Sequence, residues 1–378
     1  MKTFVLSLTA GLCLTLAATA ADPKPAPEPP PASPHEVHPD DLSKFKTADS
    51  LWSHIEELRK EPDVQPTSRE QLIEIAKEWY GNQHAAAAAF IKAYPADERT
   101  IAAKLVMLQA QLRLVEMPGA APLSDASKAE FMKQAGTILT AKNATEDAKG
   151  EAAYLQIMID AEGIDETQSA MIAAFFKASA KFLAKYGDHR LAPTVRQTRF
   201  QLASEVDLPE SEAVLKNFAE DHDPQIAEVA KLTLARFAKM KDLRKNPLDL
   251  KFTDSNGHEV DFANLRGKVV LLDFWASWCG PCMAEAPNVV ATYQKLHEKG
   301  FEIVGVSLDH EKGDMEAAMK ENGMTWAQSF DTGDNKIAGE FGIFQIPTTW
   351  LFDKKGKLRE SGLRGEALAE KVTKLLAE

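Results

Sequence analysis

Phe274-Trp275-Ala276-Ser277-Trp278-Cys279-Gly280-Pro281-Cys282 is the stretch on which the reading of this chain turns. Upstream, Lys268 to Trp275 is a near-continuous apolar run, suited to a strand buried on both faces. Downstream, Ala284 to Lys299 has helical patterning, so the cysteines stand where a strand hands over to a helix. Two intervening residues in a first helical turn bring both sulfurs within disulfide reach. The helix start also aims unpaired N–H groups and the positive end of its dipole at Cys279, which favours thiolate over thiol. Cysteines so placed titrate between ~3.5 and ~7.5, against ~8.5 for a free thiol. Cys279 is therefore the expected nucleophile, and Cys282, one turn further in and more buried, the expected resolving thiol. Zinc would want two further Cys or His ligands at matching spacing, and the sequence offers no second pair. No metal and no cofactor is expected.

The residues around this stretch alternate between strand and helix. Leu248 to Phe252, Asn256-Gly257 and His258 to Phe262 read as a hairpin with an Asn-Gly turn. Phe301 to Leu308 is a second buried strand and Lys312 to Glu321 a helix. Thr348 to Phe352 and Leu358 to Ser361 form another hairpin around Lys354-Lys355-Gly356, and Ala367 to Ala377 closes as a helix. Such an order implies a mixed sheet flanked by helices over residues 246–378.

Residues 41–245 are of a different kind. Alanine is abundant, β-branched runs are absent, and Leu105, Leu108, Leu112 and Val115 recur at helical spacing. Tyr94-Pro95-Ala96-Asp97, Tyr186-Gly187-Asp188-His189 and Asp221-His222-Asp223-Pro224 punctuate the helices, and the last two Asp-His pairs lie 33 residues apart. Stacked helical hairpins resembling tetratricopeptide-like repeats in period are one reading, and an irregular helical bundle is the other. No constellation of chemical groups stands out there. Residues 22–40 are a proline-rich linker of polyproline II type, in which His35 and His38 read as a solvated tail. Residues 1–21 read as a cleaved signal peptide: Lys2, an apolar run from Phe4 to Leu16, then Ala18-Thr19-Ala20. Cleavage would remove Cys13 and leave Cys279 and Cys282 as the only cysteines, in an oxidising compartment, periplasmic or otherwise extracytoplasmic. No later segment is apolar enough to span a bilayer. A net charge of −12 argues against a nucleic-acid partner, which needs a basic surface.

The Trp-Cys-Gly-Pro-Cys sequence is that of thioredoxin, and residues 246–378 resemble the exported TlpA/ResA group of thioredoxin-like proteins. The resemblance is carried by Asn264-Leu265-Arg266-Gly267-Lys268-Val269, by the dithiol stretch, and by Phe341-Gly342-Ile343 followed by Ile346-Pro347-Thr348. The fold class is thus α + α/β: an all-α helical-hairpin region, then a thioredoxin-like α/β domain with a mixed central sheet. The resemblance implies a thiol–disulfide oxidoreductase acting on protein disulfides, with a cis peptide before Pro347. From the residues alone Pro347 could equally be an ordinary edge-strand proline. Trp278, Gly280, Pro281, Ile346 and Pro347 would line the substrate. Asp273 matches the family's buried aspartate, and Glu285 a glutamate that ResA-type proteins carry; either could relay the Cys282 proton. Glu285 reads equally well as an exposed helical glutamate. Thioredoxin pairs its aspartate with a lysine, and the matching position here is Gly305, so desolvation should raise Asp273 further.

Gly280-Pro281 and Ile346 resemble reducing family members. The implied role is reduction of exported protein disulfides, apocytochrome c before haem attachment among them (cytochrome c maturation), with recharging by a membrane-bound electron donor. A thiol peroxidase of the peroxiredoxin-like group is one alternative, but its threonine and upstream proline are replaced by Ala276 and Leu272. A helical adaptor that uses the thioredoxin-like domain only for partner binding is another, and it has no need of two apposed thiols.

Overall fold

The computed structural model describes residues 39–378 apart from 163, 165–167 and 332–334. Residues 1–21, expected to be a signal peptide, with Cys13, and His35, His38 and nearly all of the expected 22–40 linker lie outside the described residues.

Helices occupy the N-terminal region: α1 (Ala48–Leu58), α2 (Arg69–Ala93), α3 (Thr100–Val115), α4 (Asp125–Thr140), α5 (Glu146–Ala161), α6 (Ser169–Tyr186), α7 (Ala192–Glu205), α8 (Pro209–Phe218) and α9 (Pro224–Lys245). Several starts are set locally. The hydroxyls of Thr47, Ser68, Ser124 and Thr145 each accept a backbone N–H from the third residue on. On α3 the expected stripe of Leu105, Leu108, Leu112 and Val115 is buried.

The three punctuating junctions share a backbone turn. The carbonyl of Tyr94 accepts from Asp97 N–H and that of Asp97 from Thr100 N–H, each at 3.1 Å. Tyr186, His189 and Ala192 repeat this pair at 3.0 and 2.8 Å, and Phe218 accepts from Asp221 at 3.0 Å. Proline at 224 has no N–H with which to make the second bond. Equivalence therefore runs from His189 to Asp221, one residue away from the alignment of the two Asp-His pairs. The His189 side chain is buried beneath Gly150, where a Cβ would strike its ring, whereas His222 is exposed. What recurs is the turn, not the histidine.

By packing, the chain divides into two compact units between Glu210 and Ser211. Composition changes only after Pro247, yet α9 belongs with the C-terminal unit because it packs on β7 and on the loop at Gly342. That unit continues with β1 (Lys251–Thr253), β2 (Glu259–Asp261), β3 (Val269–Trp275), α10 (Gly280–Leu296), β4 (Phe301–Ser307), α11 (Lys312–Asn322), β5 (Ala327–Ser329), α12 (Lys336–Glu340), β6 (Thr348–Phe352), β7 (Leu358–Ser361) and α13 (Glu366–Ala377). The main sheet runs β5-β4-β3-β6-β7, parallel from β5 to β3 and antiparallel from β3 to β7. This is the thioredoxin-like arrangement. Sequence patterning passes over β5 and α12, which at three and five residues are too short to show a period.

Both hairpins turn by one device. In Asp254-Ser255-Asn256-Gly257-His258 and in Asp353-Lys354-Lys355-Gly356-Lys357, the aspartate Oδ1 accepts two backbone N–H groups at 2.8–3.0 Å. Gly257 (φ +86°) and Gly356 (φ +75°) close the loops in the left-handed region. No non-glycine residue described has positive φ, so the first is a three-residue loop and not a two-residue Asn-Gly turn.

Side-chain alternation along β3 decides what lies beneath the dithiol. Val269, Leu271 and Trp275 join the cluster that includes Cys279, Cys282 and Ala286 of α10 and Leu368 and Val372 of α13. Asp273 shares their parity and so faces the same side. Phe274, of opposite parity, meets Phe341 and Trp350, with centroids 6.0 and 6.2 Å away.

Candidate active site

Cys279 is the N-cap of α10, and its Sγ accepts the Cys282 N–H at 3.2 Å. Pro281 occupies the first helical turn, where its missing N–H leaves no intrahelical bond unmade. The cysteines are joined as a disulfide, with Cα atoms 5.2 Å apart. Expected burial differs from what is found: both cysteines are 5% exposed, because Cys279 packs in the same apolar cluster as Cys282. The two residues differ in their position on the helix and not in overall burial. Trp278, Gly280 and Pro281 are exposed beside them. The Ile346–Pro347 peptide is cis, and Ile346 packs against the cluster that holds both cysteines.

Asp273 is buried, and burial pushes its carboxyl up to about 7, with the Glu285 carboxylate adding to the rise and the Arg364 guanidinium opposing it. Gly305 is its cross-strand partner on β4, as the missing lysine requires. Glycine stands there for a steric reason: any Cβ would collide with the Gln328 carboxamide, whose Oε1 accepts the Trp275 indole N–H at 2.9 Å. The compensating cation comes instead from the β7–α13 loop. Arg364 also donates to the Pro347 carbonyl at 2.9 Å, tying that loop to the cis proline. Glu285 is half-buried rather than exposed, and its Oε1 accepts from Gly365 N–H at 2.6 Å and from Asn288 Nδ2 at 2.7 Å. Asp273, Glu285 and Arg364 thus form one electrostatic group on the dithiol side of the sheet.

Asp309, just past β4, is a further carboxylate that sequence reasoning missed. It is buried and accepts the Ser277 N–H at 2.9 Å, the Ser277 hydroxyl at 2.6 Å and the Ser307 hydroxyl at 2.8 Å. It clamps the turn that delivers Cys279 to the head of α10. The available signal was Ser307-Leu308-Asp309 at the end of a buried strand, where an acid needs nearby donors. Arg364 has no comparable signal, because nothing in its spacing connects it with β3.

Among the described residues no cluster of His, Cys, Asp and Glu could hold a metal ion. No described helix is long and apolar enough to cross a membrane.

Residues 243–361 match the AhpC/TSA family. Thiol-disulfide oxidoreductase ResA of Bacillus thuringiensis (strain Al Hakam) is 35% identical over 120 residues, which span 32% of this chain and 68% of the relative. ResA of Bacillus subtilis (strain 168) is 33% identical over 105 residues, 28% of this chain and 58% of the relative. A thiol:disulfide interchange protein from Bacteroides sp., solved in solution, is 31% identical, with a TM-score of 0.32, over 35% of this chain and 89% of that one. With Cys279 capping the helix that holds Cys282, on a thioredoxin-like sheet, the chain belongs to the ResA family of thiol-disulfide oxidoreductases.

Proposed function

We propose that this protein is an exported reductase of disulfides in extracytoplasmic proteins, apocytochrome c before haem attachment being a candidate substrate. The observation that carries the reading is Cys279 at the N-cap of α10 with its sulfur accepting the Cys282 N–H. In the reduced protein that position stabilises a thiolate on Cys279. The thiolate attacks one sulfur of the substrate disulfide and expels the other as a thiolate, leaving a mixed disulfide. Cys282 loses its proton, attacks Cys279 Sγ and releases the substrate's second thiol. Two electrons pass to the substrate, and the Cys279–Cys282 disulfide is left behind. Recharging needs a dithiol donor, for which a membrane-bound carrier is the proposal.

Asp273 and Glu285 are the proposed relay for the Cys282 proton. A carboxyl that titrates near 7 can both take and return a proton at neutral pH, which an ordinary aspartate cannot. The substrate would lie along Trp278, Gly280 and Pro281 on one side and along Ile346 and Pro347 on the other. The proposed export rests on the leader-like residues 1–21.

Equilibration of the Cys279–Cys282 pair with glutathione or dithiothreitol buffers tests the direction of electron flow. A potential near ~−270 mV supports a reductase, and one near ~−120 mV makes the protein an oxidant instead. The peroxidase alternative lacks the hydroxyl that its motif needs, since the residue three before Cys279 is Ala276. Rapid peroxide turnover by Cys279 would restore it.

A further inference from the structure

Among the described residues the exposed large hydrophobic side chains are Trp278, at 61%, and Phe344, at 37%. Single exposed apolar residues scattered over a surface carry no meaning. These two are not scattered. Trp278 lies on the loop that leaves β3, and Phe344 on the loop that enters β6. The strands pair antiparallel, with Phe274 opposite Thr348, so both loops leave the sheet at the same end. Cys279 follows Trp278 on the first loop and the Ile346–Pro347 peptide follows Phe344 on the second, with Ile346 packed on the cysteine cluster.

The presentation of Phe344 is set from outside the core thioredoxin-like pattern, by α9. At Gly342 (φ +64°) a Cβ would lie 2.8 Å from the Leu232 carbonyl of α9, so that the backbone there runs directly against the helix. One turn along α9, Arg236 places its guanidinium 5.3 Å from the Phe344 ring centroid and 5.5 Å from that of Phe237. Lys239 stands 5.0 Å from the centroid of Phe341, whose ring is buried against Trp350. A cation over an aromatic face restrains the ring while leaving its far side free to meet another apolar group.

The geometry points to Phe344, held by Arg236, as a specificity-determining residue that accepts an apolar side chain neighbouring the reactive cysteine of an unfolded polypeptide. Arg236 is a positioning residue acting through that ring. This inference rests on the reading of the protein as a reductase of polypeptide disulfides and deepens it by naming the substrate feature that is read. The chemistry fits the occupant, because residues beside a cysteine are exposed in an unfolded chain and withdrawn in a folded one.

The test uses the full reduced protein and two short peptides, each closed by one disulfide, with leucine beside one cysteine in the first and serine in the second. Hydroxyethyl disulfide serves as a substrate with no side chains. The wild type is expected to prefer the leucine peptide by about tenfold in kcat/KM, the scale on which a pocket reads an apolar group. Phe344→Ala brings the ratio close to one through a higher KM, and Phe344→Leu retains part of it. Arg236→Ala weakens the preference in the same direction, Arg236→Lys restores some of it, and the double variant matches Phe344→Ala. A preference kept in Phe344→Ala, a loss confined to kcat, or additive effects of the two alanine variants overturns the inference. A wild type that reduces hydroxyethyl disulfide without favouring either peptide sinks the inference alone. Failure to reduce any of the three substrates sinks the underlying reading with it.

Discussion

Two buried carboxylates, one in each unit, stand in opposite surroundings. In the helical unit Glu151 is buried on α5, and Arg190 Nη2 donates to its Oε2 at 2.6 Å while Gln109 takes the other oxygen. Arg199, likewise partly buried, donates to the Ser179 hydroxyl and the Phe176 carbonyl. Both of these side chains are met by hydrogen-bonding partners from neighbouring helices. In the C-terminal unit Asp273 forms no ion pair among the described residues, and its charged neighbours act in opposite directions. A charge that is fully matched is architecture, whereas one left near its titration point can move a proton. The dithiol and the raised Asp273 carboxyl lie in the second unit, on the side of β3 that faces α10.

The largest effect expected is on Cys279. Cys279→Ser should lower insulin reduction by more than about a thousandfold, since no other described cysteine lies outside the pair, while Cys282→Ser accumulates mixed disulfides visible by mass spectrometry. In the helical unit Arg190→Ala leaves Glu151 buried without its cation. Breaking a fully buried pair costs about 3–5 kcal/mol; with the Arg190 side chain 54% exposed, about 2 kcal/mol is the expectation, read by urea unfolding. Reductase activity per folded molecule should stay unchanged, and a fall in it would break the contrast between the units.

Asp309→Ala strands the Ser277 donors and should lower stability by about 1–3 kcal/mol. It should also slow alkylation of Cys279 by iodoacetamide, because the turn that feeds the helix start is released. Ser277→Ala, which keeps the backbone bond, should do less in both assays.

Asp273→Asn gives a change in stability that depends on pH, which makes it the most informative variant. The folded carboxyl titrates at about 7, above its ordinary value of 3.8, so the folded state binds the extra proton between those limits. Stability contributed by this group is present below about pH 4, declines as pH rises through 7, and is absent above. The variant should therefore melt higher than the wild type at pH 8 and no higher at pH 4. Its reductase rate should fall by about tenfold or more and lose its inflection near pH 7. Equal melting shifts at both pH values would mean that the Asp273 carboxyl does not titrate near 7 in the fold, and the contrast would fail.

Much of this was legible in the chain. Strand β3 and helix α10 follow from a seven-residue apolar run and the residues after it. Both hairpins are legible from their glycines, although the first reads as an Asn-Gly turn and is a three-residue loop closed on Asp254. The parity of β3 puts Asp273 on one face with Trp275, and two residues of spacing put the sulfurs within reach.

Tertiary structure alone decided the rest, for one physical reason: each remaining feature joins residues with no local relationship. Gly305 is glycine because Gln328 crosses above it, and the cation opposing Asp273 arrives from Arg364, beyond β7. The clamp of Asp309 on Ser277 and the hold of Arg236 on Phe344 each span two elements. Helix α9 reads as part of the helical region and packs with the redox unit, because propensity is set within a few residues while burial is set by whatever the finished fold brings alongside.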